Sequence, residues 1–218
     1  MGLFKKIKEG FFEPGLVEEL ADHLNNMGIR AVALPHGSAE AIHHTPTLGV
    51  FGNPPLGSVK IEGRNVDFVE IYRSFAGGRG RNAGPGGIAY GYSYVVKANL
   101  GSQHDFKTHV RLVKSGLIIK KVVGFTWEGE TFANTLNSDD DLKTKILEIG
   151  TPVLFVNANK KSGSVSIASA KFGRVTTVIV YGVPAKYQLT VGRKAFPTPE
   201  AFEVYDRIAG HVKEVLKA

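Results

Sequence analysis

Leu16, Val17, Leu20, Ala21, Leu24 and Met27 recur at intervals of three and four, the spacing of one apolar helix face. Pro14 suits the first turn of that helix, and Gly28 suits its stop. The run IRAVALP that follows predicts a strand, so this is a helix that covers a sheet. Residues 35–57 are punctuated by Pro and Gly and read as loop, with a short helix near 38–43 and a strand near 47–51. SVKIEGRNVDFVEIYRSF predicts two strands joined at residues 62–65, where Gly63 and Asn65 tolerate positive φ.

Period two is clearest in GIAYGYSYVVKANL. Ile88, Tyr90, Tyr92, Tyr94, Val96 and Ala98 share one face of the predicted strand; Ala89, Gly91, Ser93, Val95, Lys97 and Asn99 share the other. FKTHVRLV and LIIKKVVGF predict another antiparallel pair, split by Lys114-Ser115-Gly116. The character then changes. Trp127, Thr131 or Phe132, and Leu136 suggest a helix, and Asn137 or Ser138 can cap a second one. Asp139, Asp140 and Asp141 fall in its first turn, where the macrodipole favours negative charge, and Leu142, Ile146 and Ile149 form its buried stripe. VLFVNA, SVSIAS, RVTTVIVYG and YQLTVG are four further strand-like runs. The last helix has Thr198 as cap and Pro199 at its first position, with apolar residues from Ala201 to Leu216 at three and four.

Runs of strands with helices at the ends and a pair in the middle predict an α+β fold: a mainly antiparallel sheet of hairpins, a few covering helices and a long C-terminal helix. No linker forces a boundary, so the expectation is a single domain over residues 1–218, with two lobes meeting near residues 124–151 as the alternative. Residues 1–12 form an amphipathic segment, with Leu3, Phe4, Ile7 and Phe11 opposite Lys5, Lys6 and Lys8. Such a segment docks on its own domain or lies on an anionic membrane.

Charge adds to this picture. The formal net charge is +7, and residues 60–121 hold eleven basic side chains against four acidic ones, so the whole excess belongs to one stretch. Localised positive charge points to an anionic partner; the alternative is a set of solvated strand faces that keep sheet edges from pairing. The chain has no cysteine, which excludes disulfides, thiolate metal sites and a cysteine nucleophile. No apolar run approaches the ~20 residues that span a bilayer, and the first residues lack a secretory signal. The expected location is the cytoplasm.

The stretch RSFAGGRGRNAGPGGIAYGYSY holds the best candidate chemistry, with a flexible glycine-rich loop expected at residues 76–87. Gly78, Gly80 and Ala83 match the loose dinucleotide fingerprint. That mechanism needs a helix to begin at once, and Gly84-Pro85-Gly86-Gly87 precludes it. The remaining candidates are Arg73, Arg79 and Arg81 for phosphates, Tyr90, Tyr92 and Tyr94 for stacking on bases, and Lys97 beside them. The competing reading places the tyrosines in the core, since a strand with one aromatic face is usually half buried.

His36, His43 and His44 are weak candidates for metal ligation, because neighbouring histidines point apart on helix or strand. Glu128 with Glu130, or Asp105 beside His104, could serve acid–base chemistry, but nothing local fixes a partner. No nucleophile elbow or kinase signature is present, and no cofactor is expected. The sequence thus points to a non-catalytic cytoplasmic binding module that engages a polyanion such as nucleic acid. Two alternatives stand beside it: a structural or assembly protein that contacts protein partners or a membrane surface, and an enzyme of a type no motif identifies. Exposed strands add the expectation of a homodimer.

Overall fold

The computed structural model describes residues 15–34, 55–76, 87–98, 100, 107–115, 121–130, 132–150, 154–159, 164–169, 176–177, 190–191 and 196–217. Helix α1 (Leu16–Asn26) follows Gly15 and ends in a Schellman turn. The Ile29 amide donates to Leu24 O and the Gly28 amide to Asn25 O, with Gly28 at φ 78°. That turn reverses the chain directly into β1 (Arg30–Leu34). Gly28 therefore acts as the expected stop, while Pro14 lies outside the described residues.

Two hairpins follow. β2 (Gly57–Glu62) pairs with β3 (Phe68–Ala76), and β3 pairs with β4 (Gly87–Lys97) up to Ala76 opposite Gly87. The glycine-rich residues 77–86 that connect β3 to β4 lie outside the described residues. β5 (Lys107–Ser115) and β6 (Lys121–Gly129) form the next pair. Then come α2 (Phe132–Asn137), α3 (Asp140–Glu148), β7 (Leu154–Asn159) and β8 (Ser164–Ser169). Two short strands, β9 (Thr176–Thr177) and β10 (Thr190–Val191), pair apart from the main sheet. α4 (Pro199–Lys217) is last, with the Ala201 amide donating to the Thr198 hydroxyl as its sequence implied.

Two local expectations are corrected. Trp127 stands on β6 and is not part of a helix: it alternates with Phe125 on one strand face, and its spacing to the helical pair Phe132 and Leu136 is incidental. The cap of α3 is Asp139, whose carboxylate accepts the Leu142 amide at 2.9 Å; Asn137 faces β6 instead.

β1 to β8 form one antiparallel sheet in the order β1-β2-β3-β4-β8-β7-β5-β6. The α+β architecture with a mainly antiparallel sheet and a C-terminal helix is as expected. β8 inserts between β4 and β7, so an unbroken row crosses the sheet: Val59, Val69, Tyr94, Ile167, Val156 and Thr108 are successive register partners. On that side the buried residues of all four helices join the strands in one core. The middle of α4 packs over the central strands, where Tyr94 stacks on Tyr205 at 3.8 Å and meets Phe202 edge-on at 6.1 Å. Each aromatic contact of this kind contributes about 0.5–1.5 kcal/mol beyond simple burial.

Polar ties fix the position of α4. Asp206 accepts the amides of Asn65 at 2.7 Å and Val66 at 2.9 Å, and Lys213 pairs with Asp67 at 3.0 Å. The second oxygen of Asp67 accepts the Lys97 amide at 2.7 Å. The β2–β3 turn is thereby tied to both α4 and β4. At the other end, His23 Nε2 bonds Pro197 O at 2.9 Å and joins α1 to the entry of α4. No helix among the described residues is long and apolar enough to cross a membrane.

Candidate ligand-binding face

Alternation sends the other half of each strand's side chains to the reverse of the sheet. A row of register partners runs there through Ser58, Glu70, Ser93, Ala168, Phe155, His109 and Glu128. The next row is Lys60, Phe68, Val95, Ser166, Asn157 and Lys107. Beyond it, Lys97 stands opposite Ser164. The buried residues of the described helices all belong to the other face. The reverse face is nevertheless covered: Ser58, Glu70, Ser93, Asn157, Ser164 and Ser166 are all buried, and Leu34, Phe68 and Val95 make a small apolar cluster among them. This is a polar floor where a solvated sheet face would ordinarily carry charge.

Two features of this floor bear on chemistry. Glu70 is 1 % exposed and accepts the Tyr72 hydroxyl at 2.5 Å. Burial first, then the Glu70 charge and this hydrogen bond, push the Tyr72 phenol far above its ordinary range, so it stays a proton donor. Toward the other end of the floor, Asn157 is 2 % exposed and its Nδ2 donor finds no hydrogen-bond partner among the described residues. Buried polar groups are nearly always paired, so this donor is an exception on the floor.

The cations at the border of this floor come from β2, β4 and β5. Lys97 is exposed, and its ammonium lies 4.9 Å from the centroid of the Phe68 ring. Lys107 is also exposed. Neither lysine has an ion pair among the described residues. They are three strand spacings apart, about 14 Å across the sheet. Arg111 is held by Glu128 at 2.8 Å, with His109 3.8 Å from the same carboxylate, so Glu128 serves an exposed ion pair.

The sequence candidates separate on this sheet. Tyr94 is buried against α4, and Tyr92 packs against the same core, whereas Lys97 stands on the reverse face. Period two forbids residues 94 and 97 from sharing a side. Arg73 and Tyr90 are register partners in the β3–β4 ladder. Arg79, Arg81, His36, His43 and His44 lie outside the described residues. Among the described residues, no group of three or more His, Asp or Glu side chains could hold a metal ion.

Ser164, Ser166, Asn157 and Glu70 escape notice in the sequence. The alternation in SVSIAS is visible, but nothing in it says that its serine side is covered. A second polar cluster joins α3 to α4. Asp139 accepts two hydrogen bonds from the Arg207 guanidinium at 2.6 Å and bonds His211 Nε2 at 2.7 Å, and His211 Nδ1 is 3.4 Å from Glu214. With its carboxylate committed to Arg207, His211 and the Leu142 amide, Asp139 makes this cluster a latch between helices.

In comparisons with known proteins, no family model, no curated protein and no solved structure matches the chain.

Proposed function

We propose that the protein is a non-catalytic binding module that holds a polyanion such as nucleic acid against the exposed basic border of the reverse face of its sheet. The observation that carries this reading is the placement of the basic stretch: β2, β4 and β5 set Lys60, Lys97, Lys107 and Arg111 on the side away from the helices. Lys97 and Lys107 are both exposed and flank the buried strip of Ser164, Ser166 and Asn157, with no carboxylate among the described residues between them. Tyr94 is buried in the helix-side core and Tyr92 packs against it, so the proposed contacts rest on the basic side chains. Arg79 and Arg81, on the connection between β3 and β4, would add phosphate contacts to the same ligand.

The test is fluorescence anisotropy with labelled single-stranded RNA, single-stranded DNA and duplex DNA, each titrated across salt. Saturable binding is expected, with affinity falling steeply as salt rises. Each phosphate contact contributes about 0.7–0.9 to the slope of log affinity against log salt, so K97A/K107A should lower it by about 1.5. K143A, on α3, should leave the slope unchanged. No binding to any of the three at low salt would refute the reading.

A further inference from the structure

The two outermost described strands carry the same device. On β1, the Asn25 side chain donates Nδ2 to Ala31 O at 2.9 Å and accepts the Ala31 amide at Oδ1, 3.0 Å. On β6, the Asn137 side chain donates Nδ2 to Trp127 O at 2.8 Å and accepts the Trp127 amide at Oδ1, 2.9 Å. Each carboxamide takes both main-chain groups of one strand residue, and these are the groups that a neighbouring strand would use. Only asparagine and glutamine offer a donor and an acceptor in the arrangement of a peptide group. Asn25 is next to last in α1 and Asn137 is last in α2, so two different helix ends bring the same group level with opposite borders of one sheet.

Without them, both borders would invite pairing. Outer strands present a row of unpaired amides and carbonyls and are templates for added strands. Val32 follows Ala31 and is 50 % exposed; Val123 on β6 is 59 % exposed. Val123 is also the extra residue where the β5–β6 register shifts, between Val113 opposite Gly124 and Lys114 opposite Val122. A bulge of this kind discourages pairing at the start of β6, and Asn137 does so near its end.

We propose that Asn25 and Asn137 are edge locks, side chains that terminate the sheet and keep a second copy of this chain from adding a strand to β1 or β6. The excluded occupant is a second copy because like edges pair about a two-fold axis, which brings the exposed valines of the two copies together. The homodimer through exposed strands suggested by the sequence is then a state that the locks hold back. This inference is independent of polyanion binding, since neither asparagine belongs to the lysine-bordered floor.

The test uses N25A and N137A in the full chain, with light scattering after size exclusion over a concentration series and circular dichroism to check the fold. The wild type should keep one mass throughout, and each alanine variant should grow to dimer or larger species as concentration rises. Adding V32K to N25A, or V123K to N137A, should restore the wild-type mass without restoring the melting temperature, because lysine blocks an edge but rebuilds no hydrogen bond. Folded alanine variants that keep the wild-type mass at every concentration would overturn the proposal, as would growth that the lysines leave unchanged. If the alanine variants do not fold, hydrogen exchange in the wild type decides. The Ala31 and Trp127 amides should exchange as slowly as amides inside the β3–β4 ladder, and exchange at the rate of exposed amides would overturn the locks.

Discussion

Replacing Asp139 by Asn tests the latch between α3 and α4. Asparagine caps a helix about as well as aspartate, so the bond to the Leu142 amide survives and only the charge is lost. Burial alone would raise the Asp139 carboxyl. Hydrogen bonds from His211, the Leu142 amide and Arg207, with the Arg207 charge, outweigh burial and hold it down from 3.8 to about 2. At about 1.36 kcal/mol per tenfold change, that depression corresponds to about 2 kcal/mol of stability. The Arg207 and His211 side chains are 36 % and 22 % exposed, so once stranded they can turn to water. The loss should therefore fall below the ~3–5 kcal/mol of a fully buried broken pair.

The sign in pH follows from the direction. Asp139 titrates lower in the folded chain than in the unfolded one, so its contribution is complete above the unfolded value and disappears as pH falls through about 2. The gap between wild type and D139N should be about 2 kcal/mol at pH 7 and about half that at pH 3. Urea unfolding followed by the fluorescence of the single, buried Trp127 measures it. A gap under about 0.5 kcal/mol at pH 7, within the range of a surface substitution, or a gap that does not narrow by pH 3, would refute the argument.

Asp206→Ala strands the amides of Asn65 and Val66 and should destabilise by about 2–4 kcal/mol, with exchange at those two amides rising first. Gly57→Ala places a Cβ 2.5 Å from Val17 Cγ2 and should destabilise by about 1–3 kcal/mol; V17A in the same chain should recover most of that in thermal melts, and a purely additive double variant would show the clash is not the cause. Burial raises both Tyr72 and Tyr94, the first further through Glu70 and the second through Tyr205 and Tyr92. Their stabilising effect holds below the unfolded value near 10 and is lost as pH rises above it, so an ultraviolet titration should find that at least two of the seven tyrosines ionise only as the chain unfolds.

Much of this architecture is legible one segment at a time. The stripe from Leu16 to Met27, Gly28 in its left-handed turn, the alternation from Ile88 to Ala98 and the Thr198-Pro199 helix start are local patterns. Helix and strand periods and capping chemistry act within a few residues, so the order of letters is enough to read them. Trp127 shows where local reading fails, because one aromatic residue between a strand and a helix fits either period until its neighbours in space are known. The strand order lies further out of reach: β8 enters between β4 and β7 only because the Val165–Ile167 face completes the core beneath α4, a contact between segments about seventy residues apart. The roles of the polar residues are the least local of all. Asn25 and Asn137 look like ordinary helix-end residues, Asp139 like one of three capping aspartates, and Ser164 and Ser166 like the solvated side of a strand. What each does depends on which backbone, charge or cover meets it, and only the folded chain brings those partners within hydrogen-bond distance.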